Sequence, residues 1–173
     1  KNKLSNSVII NSCAVTQEAE KKVKYEIKKA KKKYPNKKII LTGCAAQINP
    51  KKYHKMVEVD YVIGNSEKLI SKTWSSLNKN NSKSVQVDNI FLSNNTHDHL
   101  IEKFEGKSRA YIEIQQGCDH RCTFCIIPFG RGNNRSVPPG VIINRINLLV
   151  KNGYKEVVLT GVDITDYGKD LPV

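Results

Sequence analysis

Short β-rich runs punctuate the first half of the chain: SVII at residues 7–10, KIIL at 38–41 and YVIG at 61–64, with stretches of helical period between them. That alternation predicts βαβ units and a small open parallel sheet. Between the first two runs Thr16 stands as an N-cap and Glu18 and Glu20 favour the first turn. Val23, Ile27, Ala30 and Tyr34 then recur on one face before Pro35 ends the helix. Asn49 followed by Pro50 predicts the start of a second helix, and Ser66 followed by Glu67 a third running to Leu77. The loops after the strands share one edge of such a sheet, where open α/β sheets bind ligands. Cys13 and Cys44 fall on that edge.

The pattern then changes. From residue 79 to 107 the chain is rich in Asn, Ser, Asp and His, with VQVDNIFL its only β-like stretch, and reads as a linker. RAYIEI, at 109–114, predicts a strand, and a cysteine-bearing loop follows. Pro138 and Pro139 lead into a helix with Ile142, Ile143, Ile146, Leu149 and Val150 as its apolar face, ended by Gly153. EVVLT, at 156–160, is a second strand, so this half opens like a parallel sheet or barrel. The expected division is a domain over 1–78, a linker over 79–107 and a second domain over 108–173. The absence of an initial Met and the strand-like end predict a piece of a longer protein.

Composition narrows the function. No apolar run nears the roughly 18 residues a membrane span needs, so no membrane association and a cytoplasmic location are expected. The net charge of +13 exceeds what solubility asks for and points to a polyanionic partner, the other reading being a solvated Lys-rich face. The segment from Lys21 to Lys38 concentrates it, with ten lysines against Glu26 alone. Such a helix face suits phosphates better than base edges. His54, His97, His99 and His120 are scattered, and none is assigned to catalysis.

Five cysteines is an odd number, and three of them, Cys118, Cys122 and Cys125, lie within eight residues. Metal ligation explains this better than a disulfide framework. A loop with C-x-x-x-C-x-x-C spacing offers three thiolates to one iron-sulfur cluster and leaves one iron open. Zinc is the alternative. It usually takes four ligands, commonly in C-x-x-C pairs, and the sequence has neither a second such pair nor a His-x-x-x-His. Buried inert thiols are the alternative for Cys13 and Cys44.

The cysteine loop, with Phe124 just before its third cysteine, resembles that of the radical S-adenosylmethionine (SAM) superfamily. The wider string IQQGCDHRCTFCIIPFGRGNNRS resembles its methylthiotransferase branch, as do NSCAVT around Cys13 and LTGCAAQ around Cys44. The resemblance implies a small Rossmann-like α/β domain of three βα units followed by the start of a radical SAM partial (β/α) barrel. It also implies two 4Fe-4S clusters in the parent protein. Cys118, Cys122 and Cys125 would hold the one that cleaves SAM to a 5′-deoxyadenosyl radical. Cys13 and Cys44 would hold the auxiliary one, with a further cysteine upstream. Phe124, Gly161 and Asp163 would contact SAM, and Arg131 and Arg135 the substrate, although an ordinary turn and surface ion pairs would also explain the last four.

The strings GVDITDYG and GRGNNRS look like the branch that adds a methylthio group to carbon 2 of N-threonylcarbamoyladenosine beside the tRNA anticodon. The expected partners are then tRNA and an electron donor such as flavodoxin or ferredoxin, with the protein a monomer. Rival readings keep the chemistry on isopentenyladenosine or on a ribosomal-protein aspartate, or replace it by a zinc-stabilised basic RNA-binding module or a cysteine redox sensor.

Overall fold

The computed structural model describes residues 6–77, 83–93 and 108–172. They fall into two compact units. The first holds the described residues up to Ser93 together with Arg121–Arg131, and the second those from 108 to His120 together with Gly132 onwards. The chain is α/β throughout, and no helix among the described residues is long and apolar enough to cross a membrane.

The first unit is built on a parallel sheet of β1 (Ser7–Ser12), β2 (Lys38–Gly43), β3 (Tyr61–Ile63) and β4 (Ser84–Gln86), in sequential order. Side chains alternate across its faces. Leu41 and Val62, paired in register, meet Val23 and Ile27 of α1 (Gln17–Lys33) on one side. Ile40, Tyr61 and Ile63 meet Leu77 of α4 (Ser71–Leu77) on the other. Burying Val23 and Ile27 contributes roughly 1.5–3 kcal/mol each and fixes the rotation of α1. Thr16 caps it as expected, its Oγ1 accepting from the Ala19 N–H at 3.0 Å. Tyr34 is not part of the buried stripe; it lies at the C-cap and is exposed.

Three local expectations need correction. A short helix, α2 (Cys44–Ile48), begins directly at the end of β2, ahead of α3 (Pro50–His54), and neither Asn49 nor Ser66 makes a side-chain cap bond. The helix expected from Ser66 is broken: a 3₁₀ turn at Glu67–Leu69 ends at Ile70, whose extended backbone separates it from α4. Within the stretch read as linker, β4 extends the sheet and Ile90, in a 3₁₀ turn at Ile90–Leu92, is buried. Residues 79–82 and 94–107 of that stretch lie outside the described residues. Helix α5 (Ile127–Arg131) also belongs to this unit and packs on α2.

Gly43 makes the tight passage from β2 into α2. Its φ is +94°, and a Cβ there would overlap the backbone of Ser12. A Gly43→Ala substitution is therefore expected to destabilise this unit by about 3 kcal/mol, through left-handed strain plus steric overlap. Chemical denaturation followed by far-UV circular dichroism measures it.

The second unit carries β5 (Arg109–Gln116), β6 (Arg135–Ser136), α6 (Pro139–Lys151) and β7 (Glu156–Gly161). β5 pairs parallel with β7 and antiparallel with β6, and α6 is the crossover between the parallel strands. Its core joins Ile112, Ile114, Val137, Ile142, Leu149 and Tyr154. The inward face of α6 is narrower than the sequence suggests. Ile142 and Leu149 are buried and Ile146 packs against them, whereas Ile143 and Val150 are each 57% exposed.

Candidate metal and cofactor sites

In the first unit, Ser12 and Gly43 are register partners at the carboxyl ends of β1 and β2, and Cys13 and Cys44 are the residues that follow them. Chain direction and register thus bring both cysteines to one edge. Cys13 is exposed and Cys44 partly so, and both thiols are free. Asn65, just after β3, adds a third strand end. Its Nδ2 donates to the Gly130 carbonyl at 2.6 Å and approaches Cys44 Sγ at 3.7 Å, and its own N–H donates to Gln47 Oε1 at 2.8 Å. Gly130 of α5 lies close against α2, since a Cβ there would stand 3.1 Å from Cys44 Cβ and 3.3 Å from Cys44 Sγ. Asn65 was not anticipated, and only its position after a strand could have suggested it.

Cys122 and Cys125 belong to this unit too. The Cys125 N–H donates to the Cys122 carbonyl at 3.0 Å, closing a turn between them. Cys122 is exposed, Cys125 half-buried, and Phe124 is 91% exposed. Arg131 ends α5 and is partly buried.

Cys118 lies in the second unit, on the loop leaving β5, where its N–H donates to the Gly132 carbonyl at 3.1 Å. Its thiol points to Asp163, 3.3 Å from Oδ2. His120 Nε2 is also 3.3 Å from Asp163 Oδ2, and 3.6 Å from Asp166 Oδ2. Thr165 Oγ1 donates to Asp163 Oδ1 at 2.6 Å. That hydroxyl above all, then the Cys118 thiol and, more weakly, the charges of His120 and Lys169, hold the Asp163 carboxyl below the usual carboxylate range against the opposing effect of burial.

Gln115 organises this end of the sheet. It is fully buried and all of its amide is used. Oε1 accepts from the Val162 and Asp163 N–H groups at 2.8 and 2.7 Å, and Nε2 donates to the Gly117 carbonyl and Asn134 Oδ1 at 2.8 and 2.6 Å. The entry to the cysteine loop and the turn after β7 are therefore held by one side chain. Gly161 must lack a side chain for the same reason, since a Cβ would meet Gln115 Oε1 at 2.9 Å and Ile164 Cγ1 at 2.8 Å. Arg135 is buried in β6, its guanidinium donating to the Asn133 carbonyl at 3.1 Å and Gln116 Oε1 at 3.0 Å. Sequence reasoning assigned His120 no role in catalysis and did not single out Gln115. Their partners in the turn after β7 stand more than 40 positions away, beyond any local signal.

None of the five cysteines forms a disulfide, and three fall in one short loop, a soft donor set that suits an iron-sulfur cluster. The model of the Radical SAM superfamily matches residues 112–171, and that of the uncharacterized protein family UPF0004 matches residues 1–64. The chain is 53% identical over 98% of its length to a threonylcarbamoyladenosine tRNA methylthiotransferase MtaB of Rickettsia prowazekii. Nearly the whole chain is thus similar to a methylthiotransferase, with residues 112–171 matching the radical SAM superfamily. A second MtaB, from Thermotoga maritima, is 42% identical over 94% of the chain. A tRNA-2-methylthio-N(6)-dimethylallyladenosine synthase of Thermodesulfovibrio yellowstonii is 35% identical over 95% of it. The chain covers 39%, 37% and 38% of these relatives, about two fifths of their length.

Proposed function

We propose that the protein carrying this chain is a radical SAM tRNA methylthiotransferase that acts on carbon 2 of N-threonylcarbamoyladenosine beside the anticodon. The observation that carries this reading is the Cys118-x-x-x-Cys122-x-x-Cys125 loop within a chain similar over nearly its whole length to proteins named for that reaction. Cys118, Cys122 and Cys125 would bind one 4Fe-4S cluster through their thiolates. Cys13 and Cys44, with at least one further ligand, would bind an auxiliary cluster at the sheet edge. When bound, the loop cluster supplies the electron that cleaves SAM into methionine and the radical that abstracts hydrogen from the substrate.

The chain's own residues bind and orient. Asp163, kept ionised, would accept from the SAM amino group. Gly161 leaves room for the Gln115 amide, which holds the Asp163 backbone. Phe124 offers an exposed ring against which adenine could pack. Arg131 would meet phosphate or substrate; Arg135, given its buried contacts, would set the loop exit rather than reach far. The lysines of α1 supply charge that favours tRNA over a protein substrate. An electron donor such as flavodoxin or ferredoxin, a monomeric state and a cytoplasmic location complete the proposal.

The second reading, isopentenyladenosine as the substrate base, is favoured by the similarity to the dimethylallyladenosine synthase. Complementation separates the two. The natural gene should restore 2-methylthio-threonylcarbamoyladenosine, read by nucleoside mass spectrometry, to a strain lacking that modification. It should not restore the isopentenyl counterpart to a strain lacking the latter, and the reverse pattern would move the assignment to the second base.

A further inference from the structure

Asp163 Oδ2 is the centre of a mixed donor set. Cys118 Sγ and His120 Nε2 each lie 3.3 Å from it, and the three ligand atoms are all within 4.8 Å of one another. In tetrahedral zinc sites, with Zn–S about 2.3 Å and Zn–N and Zn–O about 2.0 Å, neighbouring donors stand about 3.3–3.5 Å apart. Both measured edges fit. All three residues sit in the second unit, on the loop after β5 and the turn after β7, and the Gln115 amide fixes the two segments to each other. Asp166 Oδ2, 3.6 Å from His120 Nε2, supplies a nearby second carboxylate.

We propose that in the cluster-free protein Cys118 Sγ, His120 Nε2 and Asp163 Oδ2 bind one zinc ion, with water in the fourth position. This ligand set shares only Cys118 with the loop of three cysteines, so zinc and the iron-sulfur cluster exclude each other there. Binding displaces the thiol proton of Cys118, and that of His120 when the imidazole is charged, into solvent. Iron loading then requires zinc to leave first. The inference rests on Cys118 as a metal ligand and not on methylthio transfer, so the proposed reaction survives its failure.

The test uses the 173-residue chain, freed of metal under reducing, anaerobic conditions. It is titrated with zinc against a chromophoric chelator and with cobalt(II) as a spectroscopic probe. His120→Ala and Asp163→Asn are each expected to weaken zinc binding at least tenfold, and Cys118→Ala to abolish it at this site. The Cys122→Ala/Cys125→Ala variant should stay within about twofold, because those thiols are not ligands in this arrangement. The cobalt form should show the charge-transfer absorbance of one thiolate, about a third of that of a three-thiolate site. Loss of binding in Cys122→Ala/Cys125→Ala with His120→Ala and Asp163→Asn unchanged, or a three-thiolate cobalt spectrum, would overturn the proposal. Far-UV circular dichroism identifies any variant that has unfolded, and the cobalt spectrum of the unsubstituted chain decides independently of all variants.

Discussion

A Cys118→Ala/Cys122→Ala/Cys125→Ala variant of the natural gene product, reconstituted anaerobically with iron and sulfide, is expected to bind about four fewer irons per chain than the parent. It should form no 5′-deoxyadenosine from SAM under reduction. Three ligands on one loop act as a unit, so each single alanine variant should come close to the triple one instead of losing a third of the effect. Cys13→Ala/Cys44→Ala should behave differently. That variant should retain SAM cleavage, because its thiols are not part of the three-cysteine loop, and lose only sulfur insertion. Iron analysis, EPR of the reduced protein and chromatography of 5′-deoxyadenosine check these outcomes together.

The second large effect is structural. Gln115→Ala should destabilise the second unit by about 3–5 kcal/mol, since it strands the Val162 and Asp163 N–H groups, the Gly117 carbonyl and Asn134 in a fully buried site. Gln115→Glu preserves the shape but turns a carboxylate oxygen towards the Gly117 carbonyl and Asn134 Oδ1. Burial raises the pKa of such a carboxyl, so the folded form of that variant binds its proton more tightly than the unfolded chain does. Its stability should therefore be closest to the parent's at acid pH and fall as pH rises. Gln115→Ala should lack that component. Urea midpoints at several pH values distinguish the two.

Helix α1 was legible because its signals are local and agree: Thr16 caps it, Glu18 and Glu20 sit in its first turn, and Val23 and Ile27 are its buried positions. Strands β1, β2, β3, β5 and β7 were legible from their β-branched runs, and α6 from its prolines. Elements of five residues or fewer, such as α2, α5, β4 and β6, carry too little periodicity to stand out. The break at Ile70 was missed because helical composition continues through it. At the sites, the cysteines announced themselves by spacing alone, and Asp163 came from family resemblance. The roles of His120 and Gln115 depend on tertiary contacts with the turn after β7.

The lysine-rich face of α1 follows the same logic of partial legibility. Charge counting located it. The fold shows Glu20 pairing with Lys52 at 2.6 Å and Asp60 with Lys31 at 3.7 Å, while several other lysines of the helix remain exposed. The proposed tRNA substrate would give that surface a use, with phosphate contacts that position without reading sequence.

The most direct measurement is an anaerobic reaction of the reconstituted natural gene product with SAM, a reductant and tRNA that carries threonylcarbamoyladenosine but lacks the methylthio group, followed by nucleoside mass spectrometry. The account predicts 2-methylthio-threonylcarbamoyladenosine in the parent reaction and none with the triple cysteine variant. A colourless protein that holds zinc, binds this tRNA and leaves the nucleoside unchanged would contradict it.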